Sequence, residues 1–168
     1  MNLHDYQRDA KIYALFPLDN SGWDYLLSAM PEELGEFWET GRDDPEEISE
    51  AGDLLWNISL ATSLLDEYLP NLIPNHATLE EPRIVDLVIE LGKFSGIFAK
   101  NARKGLGRNL NSEQKNLALK HLANMLSVLK YHFNLKVVAS QNINKLEERM
   151  RTNTIEGNGE TVEERRGY

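Results

Sequence analysis

The sequence predicts an all-α protein, a helical bundle, and three observations predict it. Apolar residues recur at helical spacing along most of the chain, almost no run alternates apolar and polar over strand length, and start and stop signals bracket the periodic segments. The expected helices cover about 3 to 14, 21 to 40, 46 to 69, 83 to 104, 112 to 133 and 135 to 151. Ser21 precedes the second and Gly41 follows it; Asp44-Pro45 opens the third with proline in the first turn, and Pro70 and Pro74 close it. Ser112 followed by Glu113 opens the fifth.

Residues 71 to 82, NLIPNHATLEEP, carry proline, asparagine and threonine between periodic segments and are expected to form a connector. It separates an acidic half, residues 1 to 70, from a second half, residues 83 to 151, within one domain of 168 residues. Residues 152 to 168 are poor in apolar side chains and are expected to be a mobile tail.

Composition narrows the function. The chain has no cysteine, which removes disulfides and thiolate metal sites and fits a reducing, cytoplasmic setting. No segment has the apolar length of a membrane span, and MNLHDYQRDAK lacks the apolar run of a signal peptide. A formal net charge of -9 argues against sequence-independent nucleic-acid binding, which needs a basic surface. A phosphate-bearing small molecule stays open, because a divalent cation inverts the local charge.

The acids are not scattered. Glu33 and Glu36 stand at the edge of an apolar arc formed by Leu26, Leu27, Met30, Leu34, Phe37 and Trp38. On the next helix Leu54, Leu55, Ile58, Ala61 and Leu65 form the arc, and Glu50, Asp53 and Asn57 line one flank. Folded as an antiparallel hairpin through the Arg-Asp-Asp-Pro turn, the two flanks converge. Four carboxylates brought together repel unless a cation joins them, and an all-oxygen donor set selects Mg²⁺, Mn²⁺ or Ca²⁺. The competing reading is a solvated acidic helix face. Glu-x-x-His pairs on two helices, which a di-iron bundle needs, are absent.

A short pattern recurs: Glu33-Leu-Gly-Glu36, Glu50-Ala-Gly-Asp53, Glu90-Leu-Gly-Lys93 and, without its glycine, His121-Leu-Ala-Asn124. Glycine within a helix costs about 1 kcal/mol against alanine, so its repetition at one offset points to close helix approach or to internal duplication. In the second reading, residues 84 to 134 restate residues 21 to 69 with the acidic partners replaced.

On these residues the chain resembles the all-α nucleoside triphosphate pyrophosphohydrolases, the MazG-like group that includes the dimeric dUTPases. Glu33, Glu36, Glu50 and Asp53 match that family's Glu-x-x-Glu and Glu-x-x-Asp helices, and Tyr6-Gln7 with Ala10, GDLLW at 52 to 56, Asn142-Ile-Asn-Lys145-Leu-Glu-Glu-Arg149 and the tail from Thr154 look like family positions. The resemblance implies Mg²⁺-dependent cleavage of a nucleoside triphosphate between the α and β phosphates, with Mn²⁺ a substitute. The four acids would hold the metal, and Glu36 would activate water. It further implies that Asn142 and Lys145 contact the nucleotide, with Asn57, Lys100, Arg103 and Lys104 as further substrate contacts. The three basic residues have a second reading, a last helical turn favoured by the helix dipole. Trp38 and Trp56 read as core or interface rather than base-stacking residues, and His121 and His132 as packing or surface residues.

The chain departs from the usual single-repeat members in the insertion of residues 71 to 134. A fused pseudo-dimer with a degenerate second half accounts for it, and a homo-oligomer through the outer faces stays open. Within the family reading, dUTP specificity competes with broader triphosphate cleavage. Outside it stands a non-catalytic nucleotide-binding or assembly module.

Overall fold

The computed structural model describes residues 1–40 and 45–152, and among them it holds seven helices and no strand. They are α1 (Leu3–Ile12), α2 (Gly22–Glu39), α3 (Pro45–Leu64), α4 (Leu69–His76), α5 (Val85–Arg103), α6 (Ser112–His132) and α7 (Leu135–Arg151). The all-α class expected from periodicity is observed. The expected stop at Gly41, residues 42 to 44 of the expected turn and all but the first residue of the tail lie outside the described residues.

Helix starts follow local chemistry that differs in places from the expected signals. The Asn2 side chain accepts from the Asp5 amide at 2.9 Å and caps α1. Ser21 does not cap α2; its hydroxyl donates to Asp19 at 2.6 Å instead. The chain turns there because Gly22 sits against the Pro17 carbonyl, where a Cβ would come within 2.4 Å of the oxygen. At α6 the cap is Asn111 rather than Ser112, and with Gln114 it forms a reciprocal capping box.

The connector contains a helix that sequence reading missed. Pro70 lies in the first turn of α4, where its absent N–H is no loss, and Pro74 lies inside the helix. Prolines read as terminators thus belong to an eight-residue helix, held by burial of Leu69 and Leu72. The preceding helix already ends at Leu64, with Asp66 in the left-handed region at φ 51°.

Helices α3 and α6 form the centre. Residues 51 to 62 and 118 to 119 with 121 to 129 are buried all round, which is why their amphipathic signal is weak. Each pairs with the helix before it, α2 with α3 and α5 with α6, and α3 packs on α6. The helix after each hairpin then crosses over: α4, which follows α3, packs on α6, and α7, which follows α6, packs on α3. Trp23 of α2 lies 4.8 Å from Phe98 and 6.0 Å from Phe94, tying the hairpins together across α2 and α5. No helix among the described residues is long and apolar enough to cross a membrane.

Of the recurring glycines, one marks a close helix contact. A Cβ on Gly52 would lie 3.0 Å from the Asn142 Cβ and 3.2 Å from its Nδ2, so α7 approaches α3 through this position. Gly35 and Gly92 have nothing within 4 Å of a Cβ.

Candidate metal centre

The hairpin of α2 and α3 brings Glu33, Glu50 and Asp53 together, with one carboxylate oxygen from each lying within 4.8 Å of the others. Helical geometry causes this. Glu50 and Asp53 are three apart on one helix, so their side chains lie on neighbouring rows, and Glu33 faces them from the adjacent helix. Asp53 is buried at 5 % exposure, while Glu33 and Glu50 are half-buried. Glu36, one turn beyond Glu33, is exposed and stands outside this trio, although its charge acts on both Glu33 and Glu50.

Crowding like charges in a partly dry place disfavours ionisation. Burial, followed by the charges of Asp53 and Glu36, pushes Glu33 up to about 7, and Lys145 opposes the rise. Glu50 is also raised, first by burial, with Lys145 opposing and Asp53 and Glu36 adding to it. The Glu50 Oε2 is buried with no hydrogen-bond partner among the described residues. An orphaned carboxylate oxygen in an all-oxygen cluster is what a hard divalent cation would satisfy, so the residues present fit such an ion.

Helix α7 supplies the cationic and amide side chains. The Lys145 ammonium contacts the Asp53 Oδ2 and donates to the Ser49 hydroxyl at 2.9 Å. Asn142, buried at 2 %, donates through Nδ2 to the Asp53 Oδ1 at 3.1 Å, and its Oδ1 accepts from the Tyr6 hydroxyl at 2.7 Å. Asn142, expected at the nucleotide, is therefore engaged by protein at both ends of its amide. Asn57 is fully buried one turn past Asp53; its Nδ2 donates to the Asp53 carbonyl at 3.1 Å, and its Oδ1 has no partner among the described residues.

Lys100, Arg103 and Lys104 lie elsewhere. They are exposed at the end of α5 where Phe98 meets Trp23 and where Arg108 pairs with Asp24 at 2.6 Å. Trp23 precedes Glu33 by ten residues of α2, about 15 Å of helical rise. Trp56 is core, its indole donating to the Ala10 carbonyl at 3.1 Å, and Trp38 is 53 % exposed.

The second half of the recurring pattern also converges, on a different chemistry. Glu90, 3 % exposed, accepts from Lys93 at 3.0 Å and from Asn124 at 3.0 Å, and its Oε2 lies 2.7 Å from the His121 Nδ1. Asn124 also accepts from the Thr78 amide at 2.8 Å. These hydrogen bonds outweigh burial and hold the Glu90 carboxyl below its usual range. Both oxygens of that carboxylate are satisfied by protein donors, unlike the Glu50 carboxylate. His121, read as packing or surface, is a buried partner of this acid.

Tyr6, Ser49 and Tyr25 were not singled out as site residues by spacing. Tyr25 stacks on Phe16 at 4.0 Å, and its hydroxyl is raised first by burial and then by the charge of Glu33. Tyr6 was marked only as a position of the family resemblance, with no role attached, and Ser49 had no signal beyond its helical position. Compared with family models, curated proteins and solved structures, the chain matches none of them.

Proposed function

We propose that the chain is a nucleoside triphosphate pyrophosphohydrolase that depends on a divalent cation and cleaves an NTP or dNTP between the α and β phosphates. The observation that carries this reading is the oxygen trio of Glu33, Glu50 and Asp53, with a buried Glu50 oxygen lacking a protein partner. Mg²⁺, or Mn²⁺ in its place, would supply charge neutralisation for the phosphate oxygens when bound.

The side chains then divide the work. Glu33, Glu50 and Asp53 would hold the cation. Lys145, whose side chain is 25 % exposed beside Asp53, offers its ammonium to a phosphate oxygen and offsets negative charge on the departing pyrophosphate. Glu36 is exposed beside the trio, where it accepts the proton of the attacking water. Water adds to phosphorus, the bond to the bridging oxygen breaks, and a nucleoside monophosphate and pyrophosphate leave.

The crossed packing of α4 and α7 supports the reading of the bundle as a fused pseudo-dimer of MazG-like type, in which one half keeps the acids and the other closes its counterpart with Lys93, His121 and Asn124. This two-half organisation also favours dUTP as one substrate to test. The acidic surface and the absence of cysteine accord with a small-molecule partner in the cytoplasm rather than nucleic acid.

The test incubates the protein with Mg²⁺, then Mn²⁺, and a panel of NTPs and dNTPs including dUTP, with products resolved by phosphorus NMR. Monophosphate and pyrophosphate are expected, and Glu50→Gln is expected to abolish turnover while circular dichroism stays at the wild-type level. Unchanged turnover in that variant removes the trio from the reaction.

A further inference from the structure

The Tyr6 hydroxyl lies inside the core, where a phenylalanine would satisfy packing alone. Tyr6 is 0 % exposed, and its hydroxyl is 2.7 Å from the Asn142 Oδ1. A buried hydroxyl is retained at the cost of desolvation only where a partner exists, and here the partner is an amide.

The polarity of the hydrogen-bond chain is set from its acidic end. The Asn142 Nδ2 faces the Asp53 Oδ1 at 3.1 Å, the amide N–H donating and the carboxylate oxygen accepting. The amide oxygen then points the other way, and the Tyr6 hydroxyl must donate to it. Flipping the amide would set its oxygen against the carboxylate. Asn142 is also confined from behind, since it seats over Gly52 at a distance where a Cβ would meet its own Cβ at 3.0 Å. Lys145 takes the other oxygen of Asp53.

We infer that Tyr6 is a positioning residue for the cation site, fixing the plane of the Asp53 carboxylate through the Asn142 amide. This rests on the metal-dependent reading above. Asp53 is held on both oxygens by donors from α7, and the donor on Oδ1 is itself oriented from α1. One oxygen of the carboxylate held in this way lies within 4.8 Å of oxygens of Glu33 and Glu50. A cation that requires a particular arrangement of oxygens senses such an outer partner through its affinity.

The experiment titrates Mn²⁺ by electron paramagnetic resonance into wild type, Tyr6→Phe, Asn142→Ser and the double variant, with thermal denaturation of each. Tyr6→Phe is expected to weaken Mn²⁺ binding by about tenfold, and the same change made on Asn142→Ser is expected to add nothing further. Wild-type affinity in Tyr6→Phe overturns the inference, whatever happens to its melting temperature, because a merely structural hydroxyl moves stability alone. Additive losses in the double variant overturn it as well, since the relay runs through the amide. Should Tyr6→Phe fail to fold, Asn142→Ser, which keeps the tyrosine and removes the bridge, carries the expectation of weaker binding, and wild-type affinity there is the refuting result. Wild-type protein that binds no Mn²⁺ refutes the metal centre itself and the relay with it, an outcome distinct from tight binding that ignores Tyr6.

Discussion

Three glycines share one offset in a recurring pattern, and alanine substitutions at them should differ in sign. At Gly35 and Gly92 a new Cβ meets nothing within 4 Å, so each alanine removes a helix-interior glycine and is expected to stabilise by about 0.5–1 kcal/mol. At Gly52 the same gain is opposed by contact with Asn142, at 3.0 Å from its Cβ and 3.2 Å from its Nδ2. The near atom is the Cβ, attached to the α7 backbone, so α7 itself must move by a few tenths of an ångström rather than a side-chain tip. Overpacking of this kind costs about 1–3 kcal/mol, which leaves Gly52→Ala destabilising by about 0–2.5 kcal/mol after the propensity gain. Urea denaturation followed by circular dichroism separates the three. For a chain of this size, 1 kcal/mol corresponds to about 2–4 °C in melting temperature, so thermal scans give a second reading. Gly52→Ala matching the stabilisation of Gly35→Ala would refute the close approach of α3 and α7.

The acidic trio gives a pH prediction with a definite sign. Glu33 is raised from an ordinary 4.5 to about 7, so between those values the folded chain binds more protons than the unfolded one, and metal-free stability should fall as pH rises through that window and level off above it. Melting temperatures from pH 4.5 to 8 check this, and a rise across the window counts against it. A cation bound at the trio would expel the Glu33 proton, so stabilisation by Mg²⁺ should be larger at pH 8 than at pH 5.5, which paired scans with and without the ion measure. In the second half the direction of mutation reverses. His121→Leu leaves the Glu90 Oε2 without one of its two donors and should lower stability by about 1.5–3 kcal/mol with no change in Mn²⁺ affinity. Glu33→Gln removes a carboxyl held against its preference and should raise metal-free stability at pH 8 while weakening Mn²⁺ binding, and a loss on both counts would contradict the strained trio.

Six helices were legible because apolar residues recur at helical spacing along them, and their ends fall within two residues of the expected ones except at α3, which stops at Leu64 rather than near residue 69. Helix α4 was hidden, since Pro70 and Pro74 are terminators by local rule, and burial of Leu69 and Leu72 on α6 overrides them. The convergence of Glu33, Glu50 and Asp53 was legible from their place at the edges of two apolar arcs joined by a short turn. Glu36 shows the limit of that projection: it shares the flank with Glu33 yet is exposed and stands outside the trio. The Tyr6 hydroxyl and the Ser49 contact depend on how α1 and α7 cross α3, and no local period encodes a contact between residues so far apart in the chain.

The crossover of α7 onto α3 sets an order of events during synthesis. The acids of α2 and α3 leave the ribosome early, but Asn142 and Lys145, which hold Asp53, arrive only when the last described helix is made. Until then the nascent chain carries these carboxylates without the ammonium that contacts Asp53, and α4 lacks the α6 on which it packs. Domain folding during translation normally rewards contacts close in sequence. This bundle instead defers its polar centre to the end, so a ribosome stalled before α7 presents a helical chain that has its acids but lacks the lysine and amide that hold Asp53.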